Sequence, residues 1–144
     1  MDKKEYIAII KQCVTMLYVE DESMVRDASI RSLKRRFKEV YTAIDGEEGL
    51  SLYNKYSPNI VLTDILMPRH NGLEMIKKIR ETDRNIPIVV VTAHDESTYM
   101  SQAKEYSIHG YFVKPLNDEE FLEFLYNLSV NLIDNGQIDN HSLI

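Results

Sequence analysis

The chain has 144 residues, of which 44% are hydrophobic and 28% are charged, with only 5 glycines and 4 prolines. This length fits a single domain, and this composition excludes disordered, collagen-like and fibrous proteins. The 17 Lys and Arg residues against 23 Asp and Glu residues give a net charge of −6, which argues against direct binding of nucleic acid.

The sequence also limits the compartment in which the protein works. Cys13 is the only cysteine, so the chain cannot form an internal disulfide, and no Cys or His spacing suggests a zinc site. The apolar run at residues 6–10 is too short for a signal peptide, and no run approaches the ~20 residues of a membrane span. We therefore expect a cytoplasmic protein that does not act at a membrane.

Five short apolar segments rich in β-branched residues predict strands, and three of them are apolar at consecutive positions, as in parallel strands covered on both faces. The predicted strands are Thr15–Val19, Val40–Ile44, Asn59–Thr63, Pro87–Thr92 and Gly110–Val113. Apolar residues at helical spacing predict the helices Ser23–Lys38, Gly72–Glu81 and Asp118–Leu132 between and after the strands. This alternation predicts an α/β fold: a flavodoxin-like, doubly wound, five-stranded parallel sheet of order 2-1-3-4-5 with helices on both faces.

Two end segments lie outside this repeating pattern. Residues 1–14 form an N-terminal extension whose apolar residues recur at helical spacing, so we expect a helix before the first strand. Residues 133–144 are polar and rich in Asn, which predicts a frayed tail or the start of a linker. The domain itself is expected to span residues 15–132.

Polar residues stand at the carboxyl ends of four predicted strands. Glu20 and Asp21 follow the first strand, Asp64 follows the third, Thr92 ends the fourth and Lys114 follows the fifth. In an open α/β sheet, ligands bind in the crevice beyond those ends, where the strand order reverses. We therefore expect these side chains to meet in one pocket.

Three neighbouring carboxylates need compensation, because a pair of unit charges 4 Å apart costs about 1 kcal/mol in water and about 4 kcal/mol at an effective dielectric constant of 20. Either one carboxyl group takes up a proton or a divalent cation neutralises them. Oxygen ligands without His or Cys favour Mg²⁺, which phosphate oxygens often complete. Lys114 and Thr92 would then suit an incoming anionic group, most simply a phosphoryl group.

These residues and their neighbours resemble a known family. The matching segments are Glu20 and Asp21, Asp64 to Pro68 with Gly72, Thr92 and Ala93, and Tyr111 to Pro115. Over residues 15–132 the chain is similar to the receiver, or phosphoacceptor, domain of bacterial two-component response regulators, of the chemotaxis-regulator type. These motifs stand in the right order along the chain and at the right strand ends, which makes the resemblance specific.

The resemblance implies a phosphorelay function without turnover of an external substrate. Asp64 would accept a phosphoryl group from a histidine kinase or a histidine phosphotransfer protein, and Lys114 and Thr92 would bind that group. Mg²⁺ would be held directly by Asp21, Asp64 and the backbone carbonyl of Leu66, with Glu20 acting through water.

The resemblance also implies a conformational switch. Thr92 would move toward the phosphoryl group and Tyr111 would swing inward behind it. These movements would remodel the face that the family builds from its fourth helix, fifth strand and fifth helix. That face would control a partner protein or an output domain outside this sequence, and it could also support a homodimer.

Two positions are expected to tune the loss of the phosphoryl group. Leu66 and His94 stand two residues after Asp64 and Thr92, where side chains of the family flank the route of the hydrolytic water. Because leucine cannot orient water, we expect slow self-dephosphorylation.

Two other functions compete with this interpretation. A Mg²⁺-dependent phosphatase of the haloacid dehalogenase type also uses an aspartate nucleophile, but it needs a second Asp where this chain has Leu66. A pseudo-receiver that works without phosphorylation would not need the complete set of acidic, Thr92 and Lys114 positions. The sequence contains no glycine-rich nucleotide-binding motif of the GxGxxG or GxxxxGK[ST] type.

Overall fold

A computed structural model of the chain describes residues 1–67, 71–93, 97–114 and 118–139. The strands in these ranges are β1 (Thr15–Val19), β2 (Glu39–Ala43), β3 (Ile60–Thr63), β4 (Ile88–Thr92) and β5 (Gly110–Val113). The helices are α1 (Lys3–Cys13), α2 (Ser23–Arg36), α3 (Gly46–Tyr56), α4 (Gly72–Thr82), α5 (Ser97–Lys104) and α6 (Asp118–Asp134). No helix in the described ranges combines the length and apolar character needed to cross a membrane.

The five strands form one parallel sheet in the order β2-β1-β3-β4-β5. This order confirms the predicted flavodoxin-like, doubly wound fold. The chain first moves outward from β1 to β2 and then crosses back to β3, so the strand order reverses between β1 and β3. The carboxyl ends of these two central strands therefore open a crevice between the loops that follow them.

The sheet separates two apolar cores, and β1 contributes to both of them. Met16 and Tyr18 pack on the side covered by α1, α2 and α6. Leu17 and Val19 pack on the opposite side, which is covered by α3, α4 and α5. Side chains alternate between the faces of a strand, so an uninterrupted apolar strand is what two covered faces require.

One of the differences from the predicted strand bounds lies at the end of β2. The sequence placed Ile44 inside the strand, whereas the structure leaves this residue 50% exposed. Its backbone N–H instead donates to the Glu48 carboxylate at 3.2 Å, and the Asp45 carboxylate accepts the N–H of Glu48 at 2.9 Å. This reciprocal arrangement resembles a capping box, so residues next to Ile44 begin α3 rather than extending β2.

Helix α1 forms part of the first core. Ile10 is only 4% exposed within that core. The Lys11 ammonium donates to the backbone carbonyl of Lys34 at 2.7 Å, and thereby satisfies a carbonyl in the last turn of α2. The Tyr6 hydroxyl donates to the Asp134 carboxylate on α6 at 2.6 Å. The N-terminal extension is therefore a helix whose side chains contact both α2 and α6.

The structure differs from the expected polar tail in the segment after residue 132. Helix α6 continues beyond its predicted end and closes with Gly136 in the left-handed region, at φ 72°. The N–H of Gln137 donates to the Leu132 carbonyl at 2.9 Å, as in a Schellman motif. This turn directs Ile138 back into the first core, where it is 5% exposed. Residues 140–144 lie outside the described part of the chain.

Arg80 of α4 connects this helix to the segment between α5 and β5. Its guanidinium group donates to the backbone carbonyls of Tyr106 at 2.7 Å and Ser107 at 3.3 Å. It also donates to the Asp83 carbonyl at 3.1 Å, just after α4. One side chain thus satisfies backbone carbonyls in the segments that follow α4 and α5.

The role of α1 in the core predicts a difference between two isoleucines of the same helix. We expect Ile10→Ala to lower the free energy of unfolding by about 2–5 kcal/mol, because it leaves a cavity in the core. Ile7 is 50% exposed, so Ile7→Ala should change the free energy of unfolding by no more than about 0.5 kcal/mol. Urea denaturation of both variants tests this, and an effect of Ile10→Ala as small as that expected for Ile7→Ala would show that Ile10 does not contribute to the cooperative core.

Candidate functional site

The backbone of the sheet fixes the residues that follow the strands. Each of three site residues extends the hydrogen bonding between neighbouring strands by one further bond. The N–H of Glu20 donates to Ala43 O at 3.0 Å, that of Asp64 to Val19 O at 3.1 Å and that of Lys114 to Thr92 O at 2.7 Å. These residues are therefore held at one edge of the sheet although they are distant in sequence.

The predicted acidic residues meet beyond β1 and β3. One carboxylate oxygen from each of Glu20, Asp21 and Asp64 lies within 4.8 Å of the others. The Lys114 ammonium lies 2.5 Å from Glu20 Oε1 and 3.3 Å from Asp64 Oδ2. The structure therefore brings together four of the residues that the sequence analysis selected.

Asp64 is held tightly by its own surroundings. Its residue is only 7% exposed, and Oδ1 accepts the N–H of Ile65 at 2.6 Å. The Thr63 hydroxyl donates to the backbone carbonyl of Asp64 at 2.7 Å. Oδ2 faces Lys114, so the two carboxylate oxygens have different environments. This fixed orientation is suited to a nucleophile that must meet its substrate from one direction.

Burial and charge act in opposite directions on the pair of Glu20 and Lys114. Burial raises the pKa of Glu20, although the Lys114 ammonium and the N–H of Glu22 act to lower it. Burial alone would lower the pKa of Lys114, but the hydrogen bond from Lys114 to Glu20 and the charge of Asp64 outweigh it and raise the pKa. Lys114 therefore stays charged at neutral pH.

The charge and chemistry of this cluster fit a divalent cation. Three carboxylates and one ammonium leave a formal charge of −2 when all four groups are ionised. All candidate ligands are oxygen atoms, the type that Mg²⁺ prefers. Asp21 is only partly buried, so the cluster can be reached from solvent. These properties match the acidic pocket with which receiver domains bind Mg²⁺.

Gly72 makes a close contact with the backbone of Asp64 that the sequence analysis did not identify. A Cβ atom at this position would overlap with the backbone carbonyl oxygen of Asp64. The N–H of Gly72 also donates to the Ile65 carbonyl at 2.7 Å. The first residue of α4 therefore packs directly against the backbone of Asp64, and only glycine leaves room for this approach. The sequence signal was the position of Gly72 at a loop-to-helix junction.

Thr92 and Tyr111 lie on the same face of the sheet. In the pairing of β4 with β5, Val90 is the partner of Tyr111 and Thr92 is the partner of Val113. Thr92 is fully buried, while Tyr111 is half-buried and packs against the second core. Both residues are therefore on the side of the sheet that α5 covers, as a coupled movement of the two would require.

Of the two positions expected to tune dephosphorylation, Leu66 lies among the described residues. Leu66 is half-buried and packs against the second core. Its side chain offers no polar group to the acidic cluster. His94 lies outside the described residues, as does Pro115.

Comparison with known proteins identifies the family. A family model described as the response regulator receiver domain matches residues 16–126. The chain therefore belongs to the response regulator receiver family, the signalling module of two-component systems. A relative is the transcriptional regulatory protein HptR of Staphylococcus aureus (strain NCTC 8325 / PS 47), which is 29% identical over 127 residues that cover 86% of this chain and 50% of that protein. The chain spans about half the length of the curated relatives it matches.

Solved structures with related sequences agree with the fold. The N-terminal domain of an uncharacterized protein from Wolinella succinogenes has a TM-score of 0.81 and 30% identity, covering 85% of this chain and 98% of that one. A DNA-binding response regulator of the LuxR family from Staphylococcus aureus has a TM-score of 0.75 and 28% identity, covering 81% of this chain and 98% of that one. The chemotaxis protein CheY4 of Vibrio cholerae has a TM-score of 0.73 and 28% identity, covering 79% of this chain and 97% of that one.

The contact between Gly72 and Asp64 predicts a large effect of a single methyl group. We expect Gly72→Ala to lower the free energy of unfolding by at least about 2 kcal/mol, because the backbone at Asp64 must shift. Gly136→Ala is the matched control, since nothing lies near that position and its φ is 72°. Gly136→Ala should lower the free energy of unfolding by about 1–2 kcal/mol from backbone strain alone. Urea denaturation compares the two, and a Gly72→Ala variant as stable as wild type would contradict the close contact.

Proposed function

We propose that the protein is a phosphoacceptor of a two-component phosphorelay and that Asp64 carries the phosphoryl group. The observation that carries this proposal is the position of Asp64, buried at the end of β3 among two other carboxylates with Lys114 Nζ 3.3 Å from its Oδ2. An Asp64 oxygen would form a bond to phosphorus as the bond from phosphorus to the histidine nitrogen of the donor breaks. The imidazole leaves with the electron pair of that bond and takes up a proton.

Mg²⁺ would be held directly by Asp21, Asp64 and the backbone carbonyl of Leu66, and through water by Glu20. When bound, the cation supplies neutralisation of the charge on the phosphoryl oxygens, which is the main requirement of phosphoryl transfer. The cluster's formal charge of −2 and its all-oxygen donors support this assignment.

Three residues of the chain would respond to the negative charge of the phosphoryl group on Asp64. The Lys114 ammonium would pair with phosphoryl oxygens, and the Thr92 hydroxyl would move to donate a hydrogen bond to one of them. Tyr111 would then turn inward on the same face of the sheet. The burial of Thr92 and the shared face support this coupling. The face formed by α5, β5 and α6 would change shape as a result.

The partners of the chain follow from this switch. The phosphoryl donor would be a sensor histidine kinase or a histidine phosphotransfer protein in the cytoplasm. The changed face would bind a downstream protein, an output domain outside this sequence or a second copy of the chain. The greater length of relatives such as HptR supports an output domain, whereas the net charge of −6 argues against direct nucleic-acid binding by this segment.

The competing functions lack support at the same positions. A phosphatase of the haloacid dehalogenase type needs a second carboxylate two residues after the nucleophile, where this chain has the half-buried Leu66. A pseudo-receiver would not require the buried Asp64 and its contact with Lys114. We therefore propose that the chain catalyses its own phosphorylation and dephosphorylation without turning over an external substrate.

Phosphorylation of Asp64 can be tested by intact mass. Wild type incubated with acetyl phosphate and Mg²⁺ should gain the mass of one phosphoryl group, and Asp64→Asn should gain none. Asp45→Asn is the matched control, because Asp45 is also buried after a strand but caps α3 outside the cluster. Asparagine caps helices about as well as aspartate, so this variant should be labelled like wild type. Equal labelling of Asp64→Asn would refute the assignment.

The side chain of Leu66 predicts slow loss of the phosphoryl group. Leu66→Asn introduces a carboxamide that can orient the hydrolytic water, so its acyl phosphate should decay severalfold faster than that of wild type. Leu66→Met keeps an apolar side chain of similar volume and should decay at the rate of wild type. Decay is followed by intact mass after removal of the phosphodonor. A Leu66→Asn variant that decays no faster than wild type would exclude this role of position 66.

A further inference from the structure

Glu20 has the more buried side chain of the two carboxylates that contact Lys114, since the Asp64 side chain is 9% exposed. Its side chain is 2% exposed, and Oε1 accepts from Lys114 at 2.5 Å. Oε2 accepts the N–H of Glu22 at 3.3 Å, and the backbone carbonyl of Glu20 accepts from the Arg26 guanidinium at 2.7 Å. Both carboxylate oxygens of Glu20 therefore accept hydrogen bonds from groups of the protein itself.

Lys114 contacts both Glu20 and Asp64, and its contact with Glu20 is the shorter of the two. Its Nζ lies 2.5 Å from Glu20 but 3.3 Å from Asp64 Oδ2. Hydrogen bonds between charged groups strengthen as they shorten. A lysine ammonium has three donors, so the bond to Glu20 fixes its position and leaves two donors for other acceptors.

We propose that Glu20 is a positioning residue for Lys114, which it holds beside Asp64 before a phosphoryl group arrives. The inference rests on the proposed function of Asp64 and gives Glu20 a task besides contact with a cation. Glutamate is longer than aspartate by one methylene, or about 1.5 Å. The length of this side chain is what lets it reach Lys114 from the end of β1, and preorganised charge of this kind lowers the cost of reaching the transition state.

The first test measures the reactivity of Lys114 toward an acylating reagent in metal-free protein, by peptide mass spectrometry. Glu20→Gln and Asp64→Asn are a matched pair, because each replaces one carboxylate by an amide of the same shape. We expect Glu20→Gln to raise the reactivity of Lys114 about tenfold, since it removes the stronger charge-assisted hydrogen bond. Asp64→Asn should raise it less than about threefold, since it removes the weaker one.

The exposed lysines Lys77 and Lys104 serve as internal references, because a general loss of structure would alter their reactivity as well. A larger effect of Asp64→Asn than of Glu20→Gln, or no effect of Glu20→Gln, would overturn the proposal. This readout does not depend on phosphorylation, so it stands even if Asp64 fails to accept a phosphoryl group.

The second test concerns the length of the side chain. Glu20→Asp keeps the charge but withdraws it from Lys114, so phosphorylation by acetyl phosphate should slow about tenfold even at saturating Mg²⁺. A variant whose only defect is weaker binding of Mg²⁺ would recover the wild-type rate at saturation, and that result would refute the positioning role. Urea denaturation of each variant confirms that folded proteins are compared.

Discussion

The placement of one ammonium group between two buried carboxylates is the interaction on which the rest of this site depends. Lys114 contacts Glu20 and Asp64 at the edge where the central strands end. Without that positive charge, three carboxylates within 4.8 Å of one another would repel one another in a poorly solvated crevice. With it, the cluster keeps a net negative charge at a lower electrostatic cost, which fits the divalent cation and the phosphoryl group of the proposed function.

The scaffold around this cluster is rigid where the chemistry needs fixed atoms. The backbone N–H groups of Glu20, Asp64 and Lys114 extend the hydrogen bonding of the sheet. Gly72 packs against the backbone carbonyl of Asp64. Two apolar cores hold the sheet from both sides, and α1 and Ile138 complete the first of them. The acidic cluster therefore does not depend on loop conformation alone, which is the usual weakness of sites built between strands and helices.

Membership of the receiver family accounts for this arrangement, and the chain's own residues modify it. The family explains why carboxylates, a hydroxyl and a lysine stand at four strand ends. Glu20 and Leu66 are the particular choices of this chain: the first reaches Lys114, and the second places an apolar side chain two residues after Asp64. Under the proposed function, both choices would affect the rates of phosphoryl transfer and loss rather than the identity of the reaction.

The sequence by itself predicted the fold and four residues that the structure brings together, Glu20, Asp21, Asp64 and Lys114. Consecutive apolar residues identified buried parallel strands, and the polar residues that interrupt them marked the strand ends, because both signals are local. Only the tertiary structure decided which carboxylate lies nearer to the Lys114 ammonium. Lys114 contacts Glu20 more closely than Asp64, and these two residues are 94 and 50 residues away from it in the sequence. The need for glycine at position 72 and the return of Ile138 to the core likewise arise from packing between distant segments. Such contacts depend on how the elements are placed in space, which local patterns of residues do not encode.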